Sequence, residues 1–511
     1  MNWLQNSAKI IIDLTPPWFF NFLAFSSSLW VRMIASLALL FLIRTVYVFF
    51  KTKRKMTLLK KNNREELADL VKEKGGDFPM FSIVVPARNE VDVVRNTIIN
   101  LTRLNYPQNR FEIIVITDEK EKLAAKDNEV ITKQVVEETM NFLAKENSSV
   151  KIISMDVPFD FDGEFLGVCT GREIKSTKGR ALNYVFTENF DHFNKNTDFF
   201  AFFDTDDHPD KNCLLEIAKE NLKYPHKKVF QMPVFQCRNF WKISTFSKII
   251  ALGQCFTHEF FLPWIMTWLP FLGGTNLFIQ KDILFAVKGF NYHSITEDLD
   301  LGVTIYLETN TWPYYLPYPS TEQTPENVKT FLKQRHRWAL GQLEVIKNLK
   351  KMKNNKTDIG KKASSLYYKL CFYGPLEWTV FFLLTVLSVF VLVTNLIKNI
   401  ILLIGMNQWY GVFSLAAISK QALLSVLSIA GLPMLLFSLL LLLHYSRFVE
   451  YPTKNIAFFL KFLVFMLKTA FLIPFVVFLY PLPFFSAFVK YSLGYYKKRE
   501  LVWVKTPRTK E

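Results

Sequence analysis

A chain of 511 residues is long enough for two or three domains and needs no small-scaffold staple to hold its core. Its five cysteines, Cys169, Cys213, Cys237, Cys255 and Cys371, are odd in number and scattered without a C-x-x-C spacing, which argues against a disulfide framework or zinc site and for reduced thiols. Half of the residues are hydrophobic, and much of the net charge of +17 gathers beside the apolar runs, a pattern of membrane flanks that leaves no nucleic-acid partner expected.

Residues 1–16 are too polar and irregular to span a bilayer, and they lack the charged start of a signal peptide. From Pro17 to Phe50 the chain is apolar and aromatic, broken by Arg32 and Arg44. One helix within roughly 28–50 meets the ~20-residue spanning requirement. Lys51, Lys53, Arg54 and Lys55 place the next domain in the cytoplasm, so residues 1–55 are expected to be an uncleaved membrane anchor.

Residues 56–355 read as a soluble α/β domain. F-S-I-V-V-P (81–86) is a buried strand ended by Pro86, and Ala87 to Glu90 lead into a helical stretch reaching Leu104. F-E-I-I-V-I-T-D (111–118) is a second strand, closed by Asp118; residues 121–147 carry helical spacing and 150–155 a third strand. Strand–helix alternation with short connections predicts a mostly parallel sheet covered on both faces. F-F-A-F-F (199–203) is a further strand buried on both faces, and it ends abruptly in Asp204, Asp206 and Asp207. These carboxylates belong at the C-terminal edge of the sheet, where open α/β sheets bind ligands. Asp204 and Asp206 are spaced to converge on one hard cation, Mg²⁺ or Mn²⁺. His208 completes such a shell or is a surface histidine.

From Phe235 to Leu272 the segments are amphipathic and aromatic, and Pro263 and Pro270 interrupt them too often for a span. They lie along the bilayer surface or line an acceptor groove. G-G-T-N (273–276) comes next, and T-E-D-L-D-L-G (296–302) opens a helix with Thr296 as N-cap and carboxylates in its first turn. Q-R-H-R-W (334–338) lies on another helix. Residues 356–494 are expected to form interfacial and transmembrane helices, with candidate spans at 373–395, 421–444 and within 456–490, and an ambiguous segment at 396–420. A cytosolic basic tail, residues 495–511, requires an even number of these spans, two or four, of which four is favoured.

P-A-R-N-E (86–90), Asp118, K-G-R-A-L-N (178–183), D-T-D-D (204–207), T-E-D (296–298), Q-R-H-R-W (334–338) and the tail W-V-K-T-P-R (503–508) together resemble one family. It is the membrane-embedded, processive-type family 2 glycosyltransferases, such as the cellulose, hyaluronan and poly-N-acetylglucosamine synthases. The resemblance covers residues 80–340 and the flanking apolar segments. It departs in small ways: T-D-E stands at 117–119 where many members have D-D, and His336 fills a variable position.

The resemblance implies a GT-A fold, a Rossmann-like cytosolic domain flanked by transmembrane α-helices. It also implies an integral, multi-pass protein of the plasma or inner membrane. The expected partners are a nucleotide-diphosphate sugar (a UDP-sugar first), a saccharide or lipid acceptor, and membrane lipids; accessory subunits are left open. Pro86, Ala87, Glu90, Asp118, Lys178, Asp204 and Arg337 are expected on the nucleotide sugar. Asp204 and Asp206 are expected on the metal, and Gly274, Glu297, Gln334 and Trp338 on the acceptor. Arg335, on a different helix face from Arg337, is a second diphosphate clamp or points elsewhere. Asp298 is the expected general base, removing the proton of the acceptor hydroxyl as it attacks C1. One base without a carboxylate nucleophile implies a single displacement, hence inversion. The product is then a growing β-linked polysaccharide or, in one step, a glycosylated lipid such as a diacylglycerol or polyprenyl phosphate. A transporter or receptor that only senses a nucleotide sugar is the alternative of a different class.

Overall fold

The computed structural model describes residues 77–387 apart from 128 and 188–191, together with 43–52, 479–495, 508–510 and shorter pieces between. Most of the expected N-terminal anchor lies outside the described residues. So do the segment 396–420, almost all of the span 421–444, and parts of the tract 456–490.

Strands β1 (Phe81–Pro86), β2 (Phe111–Asp118), β3 (Lys151–Val157) and β4 (Phe199–Phe202) pair in parallel in the order β3-β2-β1-β4. Successive side chains in a strand point to opposite faces, and here both faces are apolar. Phe81, Ile83, Val85, Phe111, Ile113, Val115, Phe199 and Ala201 enter one core. Val84, Ile114, Ile116, Phe200 and Phe202 enter the other. Fully burying a Phe contributes roughly 1.5–3 kcal/mol, so the Phe run commits β4 to the middle of the sheet.

Helices α1 (Val94–Leu101), α2 (Glu119–Ala124), α3 (Thr132–Lys145), α4 (Lys178–Tyr184) and α5 (Cys213–Lys223) follow in chain order. Of these, α1, α3 and α5 cover the first face, and α4 covers the second. The helix expected over 121–147 is two helices. The Glu121 carboxylate accepts from the Thr132 N–H at 2.7 Å and from the Asn89 N–H at 2.7 Å, so the start of α3 is fixed by capping from α2.

The sheet continues through β7 (Leu277–Gln280), antiparallel to both β4 and β5 (Val229–Gln231), and ends in β8 (Tyr314–Tyr315). A separate ribbon pairs β6 (Val234–Gln236) with β9 (Ser320–Glu322), and His208 bridges to Thr321 beside it. The fold is thus α/β with a mostly parallel sheet.

The segment 235–272 contains α6 (Thr245–Phe256), which runs on through a π-helical turn, Thr257–Phe261. Beyond α7 (Lys281–Ala286), α8 (Glu297–Thr309) carries the acidic first turn, and α9 (Val328–Met352) carries Gln334 to Trp338. Thr296 occupies the N-cap position of α8, but its hydroxyl caps nothing. It packs instead on Gly341 of α9, where an added Cβ would come within 2.3 Å of the Thr296 side chain. That glycine lets α9 lie close over the start of α8 and sets Arg337 and Trp338 beside Asp298.

α10 (Asp358–Cys371) continues through a kinked turn at Phe372–Leu376 as one helix, Asp358–Leu387. Among the described residues it is the one helix long and apolar enough to cross a membrane. It starts before the span expected at 373–395. α11 (Leu482–Ser492), in the last apolar tract, packs on α9.

Candidate functional site

The parallel strands end on one edge, and the chain turns out of the sheet there because carboxylates cannot stay in an apolar layer. A cavity of about 310 Å³ opens over that edge. Pro86, Ala87 and Glu90 line it after β1, Asp118 after β2, and Asp204 after β4. Lys178, at the start of α4, and Gly274 line it as well. The opposite wall is Glu297 and Asp298 from α8 with Gln334, Arg337 and Trp338 from α9. Every expected donor and acceptor residue therefore faces one space. Asp206 does not line it; it is fully buried behind Asp204.

Lys178 ties the two walls together. Its Nζ donates to Asp204 Oδ1 at 2.5 Å and to the Gly274 carbonyl at 2.8 Å, and Glu297 Oε1 lies 3.8 Å away. Burial pulls the lysine pKa down, but Asp204 and Glu297 outweigh it and hold the pKa above the ordinary value. On Asp204 burial pushes the pKa up, and Lys178 and Arg508 overcome it, so that carboxyl sits below its usual range.

Gly274 has φ +76°, and a Cβ there would stand 2.5 Å from Asp298 Oδ2. Only glycine serves both the left-handed backbone and the close approach. Asp298 accepts the Leu299 N–H on Oδ1 at 2.7 Å. Burial raises its pKa, partly offset by Lys178. Glu297 is pushed up to about 7 by burial and by Asp298, against Lys178. Arg337 is pulled down by burial but sustained by Glu297, Asp298 and Asp204.

Asp118 caps α2, accepting the Lys120 N–H at 3.0 Å, and pairs with Arg180 at 3.6 Å. Arg180 is buried, its Nε bound to the Phe161 carbonyl at 2.9 Å, so it fixes Asp118 at the cavity wall.

Oxygens of Asp204, Asp206 and Glu322 lie within 4.8 Å of one another. His208 is not in this cluster. Its backbone pairs with Thr321, and burial holds its imidazole pKa down at about 3. Glu322 fills the third place because the Gln323 N–H donates to Asp206 Oδ2 at 2.9 Å, pinning the end of β9 onto the acidic turn. A cation is already drawn there: Arg508 Nη2 stands 2.8 Å from Asp206 Oδ1. Thr509 beside it is held by Gln323 and Asn239. Burial raises Asp206, against the pull of Arg508, and burial pushes Asp207 up to about 7. An all-carboxylate donor set of this kind fits a hard divalent cation.

Glu322 and Arg508 were not among the expected site residues. A three-residue strand gives no periodic signal for Glu322. Arg508 closes the tail motif W-V-K-T-P-R, but nothing in its sequence neighbourhood names Asp206 as its partner. Arg335 does not line the cavity; it is buried, with its Cζ 3.9 Å from the centre of the Trp338 ring.

The family described as "Glycosyl transferase family group 2" matches residues 199–490. A probable glycosyltransferase, YdaM, of Bacillus subtilis (strain 168) is 25% identical over 70% of this chain and 76% of its own length. A β-monoglucosyldiacylglycerol synthase of Trichormus variabilis is 26% identical over 53% of this chain and 50% of its own length. Among solved structures, the mannosyltransferase PcManGT from Pyrobaculum calidifontis, in complex with GDP-Man and Mn²⁺, aligns with a TM-score of 0.38 at 14% identity. That alignment covers 66% of this chain and 81% of the other.

Proposed function

We propose, since the chain belongs to glycosyl transferase family group 2, that it moves a sugar from a nucleotide-diphosphate donor, a UDP-sugar first, to an acceptor hydroxyl by one inverting displacement. Glycosyltransferase activity is common ground with its relatives. The observation that carries the finer reading is the two-walled cavity, with strand-end carboxylates and Lys178 on one side and Asp298, Arg337 and Trp338 on the other.

In this reading Glu90 and Asp118 hold the base and ribose. Arg337 and Arg508, both lining the cavity, clamp the diphosphate with guanidinium groups suited to phosphate. Asp204, Asp206 and Glu322 would hold Mg²⁺ or Mn²⁺, which when bound supplies Lewis-acid neutralisation of the leaving diphosphate. Asp298 takes the acceptor proton. Its buried position raises its basicity above that of a solvated carboxylate, and the charge of Lys178 partly offsets that rise. Trp338 offers the acceptor sugar an apolar face, and Gly274, Glu297 and Gln334 line the space beside it.

The catalytic domain, taken as residues 56–355, sits at the cytoplasmic face of a multi-pass membrane protein. The helix Asp358–Leu387 and the basic residues after α9 support that placement. The acceptor is a growing β-linked polysaccharide, as the Q-R-H-R-W motif favours. The β-monoglucosyldiacylglycerol synthases among the relatives favour a lipid acceptor instead. Washed membranes incubated with radiolabelled donor decide between the two. Insoluble label of high mass is the expected result, and label that is wholly solvent-extractable would replace the polysaccharide by a glycolipid.

A further inference from the structure

We infer that Arg335 is a positioning residue that holds the Trp338 ring at the acceptor wall, by stacking its guanidinium on the face turned away from the cavity. The inference rests on the reading of Trp338 as the acceptor platform.

Arg335 is 2% exposed; among the described residues no carboxylate lies within salt-bridge distance of it, and Glu322 acts on it only electrostatically from farther off. Its Nη2 donates to Gln254 Oε1 at 3.2 Å, and its Nε has no partner. A buried guanidinium so poorly hydrogen-bonded is costly, and an apolar side chain of similar volume would serve packing as well. What it does have is two aromatic faces. Its Cζ lies 3.9 Å from the centre of the Trp338 ring and 5.3 Å from that of Phe331. The three side chains sit at positions 331, 335 and 338, neighbours on one face of α9. Trp is the ring that attracts a cation most strongly, and desolvation strengthens the attraction.

The stack is also fixed from the next helix. Gln254 of α6 accepts that Nη2 bond, and beside it His258 Nδ1 accepts the Val234 N–H at 3.1 Å. His258 itself lines the cavity, and burial together with Arg335 holds its pKa down at about 3, so it is neutral. α6 thus holds one Nη of a guanidinium whose Cζ lies over the Trp338 ring, and in the proposed role that contact fixes the ring. An indole in a single orientation presents one face to a sugar ring, whereas a loose one has to be ordered when the acceptor binds.

Positioning predicts a change in where the sugar goes rather than whether the donor is broken. Full-length protein in washed membranes is given the radiolabelled UDP-sugar that the wild type consumes fastest, and label in membrane acceptor is divided by label released as free sugar. Arg335→Met should lower that ratio about tenfold, with donor KM changed less than about twofold. Arg335→Lys, charged but unable to stack as a plane, should recover only part of the ratio. Trp338→Ala should lower the ratio at least as far, and adding Arg335→Met to it should change the ratio less than twofold. Gln254→Ala, which removes the clamp without touching the stack, should give an intermediate loss. Acceptor and water products falling together, in Arg335→Met and Gln254→Ala alike, would reduce Arg335 to a folding role and overturn the inference. So would a full additional loss in the double variant. An unchanged ratio in Trp338→Ala would instead overturn the platform reading beneath it.

Discussion

Asp298→Asn should lower transfer by about 10² to 10⁴, the usual contribution of a positioned general base, while leaving nucleotide affinity within about tenfold, ~1.4 kcal/mol. The amide keeps the volume of the side chain, and its oxygen can still accept the Leu299 N–H. It cannot take a proton. In the wild type the base works only when ionised, so kcat/KM should rise with pH through an acid limb. Burial raises Asp298, and Glu297 beside it is pushed up to about 7, so the limb should lie above the ordinary Asp value of about 3.9. Because the two carboxyls sit side by side, the limb belongs to the pair. Asp298→Asn should flatten it. A variant that bound nucleotide poorly but turned over normally at saturation would move Asp298 to the donor side and withdraw the single-displacement mechanism.

Asp206→Asn should abolish transfer and with it tight Mn²⁺ binding, measured by electron paramagnetic resonance of the free ion. The amide can still accept the Gln323 N–H, so the end of β9 stays docked. The carboxylate charge between Asp204, Glu322 and Arg508 is lost. Glu322→Gln should weaken Mn²⁺ by about tenfold or more, the scale seen even for groups that only support metal ligands. EDTA should stop the wild-type reaction, and Mn²⁺ or Mg²⁺ should restore it. Full activity in chelator, or Mn²⁺ affinity unmoved in both variants, would leave the acidic turn as a structural knot neutralised by Arg508.

The sheet was legible because β1, β2 and β4 are buried on both faces and read as largely apolar runs closed by Pro86, Asp118 and Asp204. Strand-end carboxylates announce the ligand edge, since they have nowhere else to go. The acidic start of α8 and the Q-R-H-R-W turn of α9 were legible as motifs, though not the glycine contact at Gly341 that brings them together. The antiparallel β7 and the ribbon β6–β9 were not foreseen. Strands of three or four residues carry too few positions for a period, and their pairing is set by distant partners. Glu322 rides on that ribbon, which is why the third oxygen of the metal cluster was missed and His208 considered in its place. The burial of Arg335 depends on α6 lying against α9, and no local pattern encodes that contact.

The most direct measurement is nucleoside diphosphate release by the purified full-length protein in lipid nanodiscs, across a panel of UDP- and GDP-sugars with and without EDTA. The proposed function predicts that at least one donor is consumed in a metal-dependent reaction, that Asp298→Asn suppresses it, and that the nucleotide still binds the variant. Nucleotide-sugar binding without turnover of any donor, in wild type and Asp298→Asn alike, would contradict it and favour a sensor over a transferase.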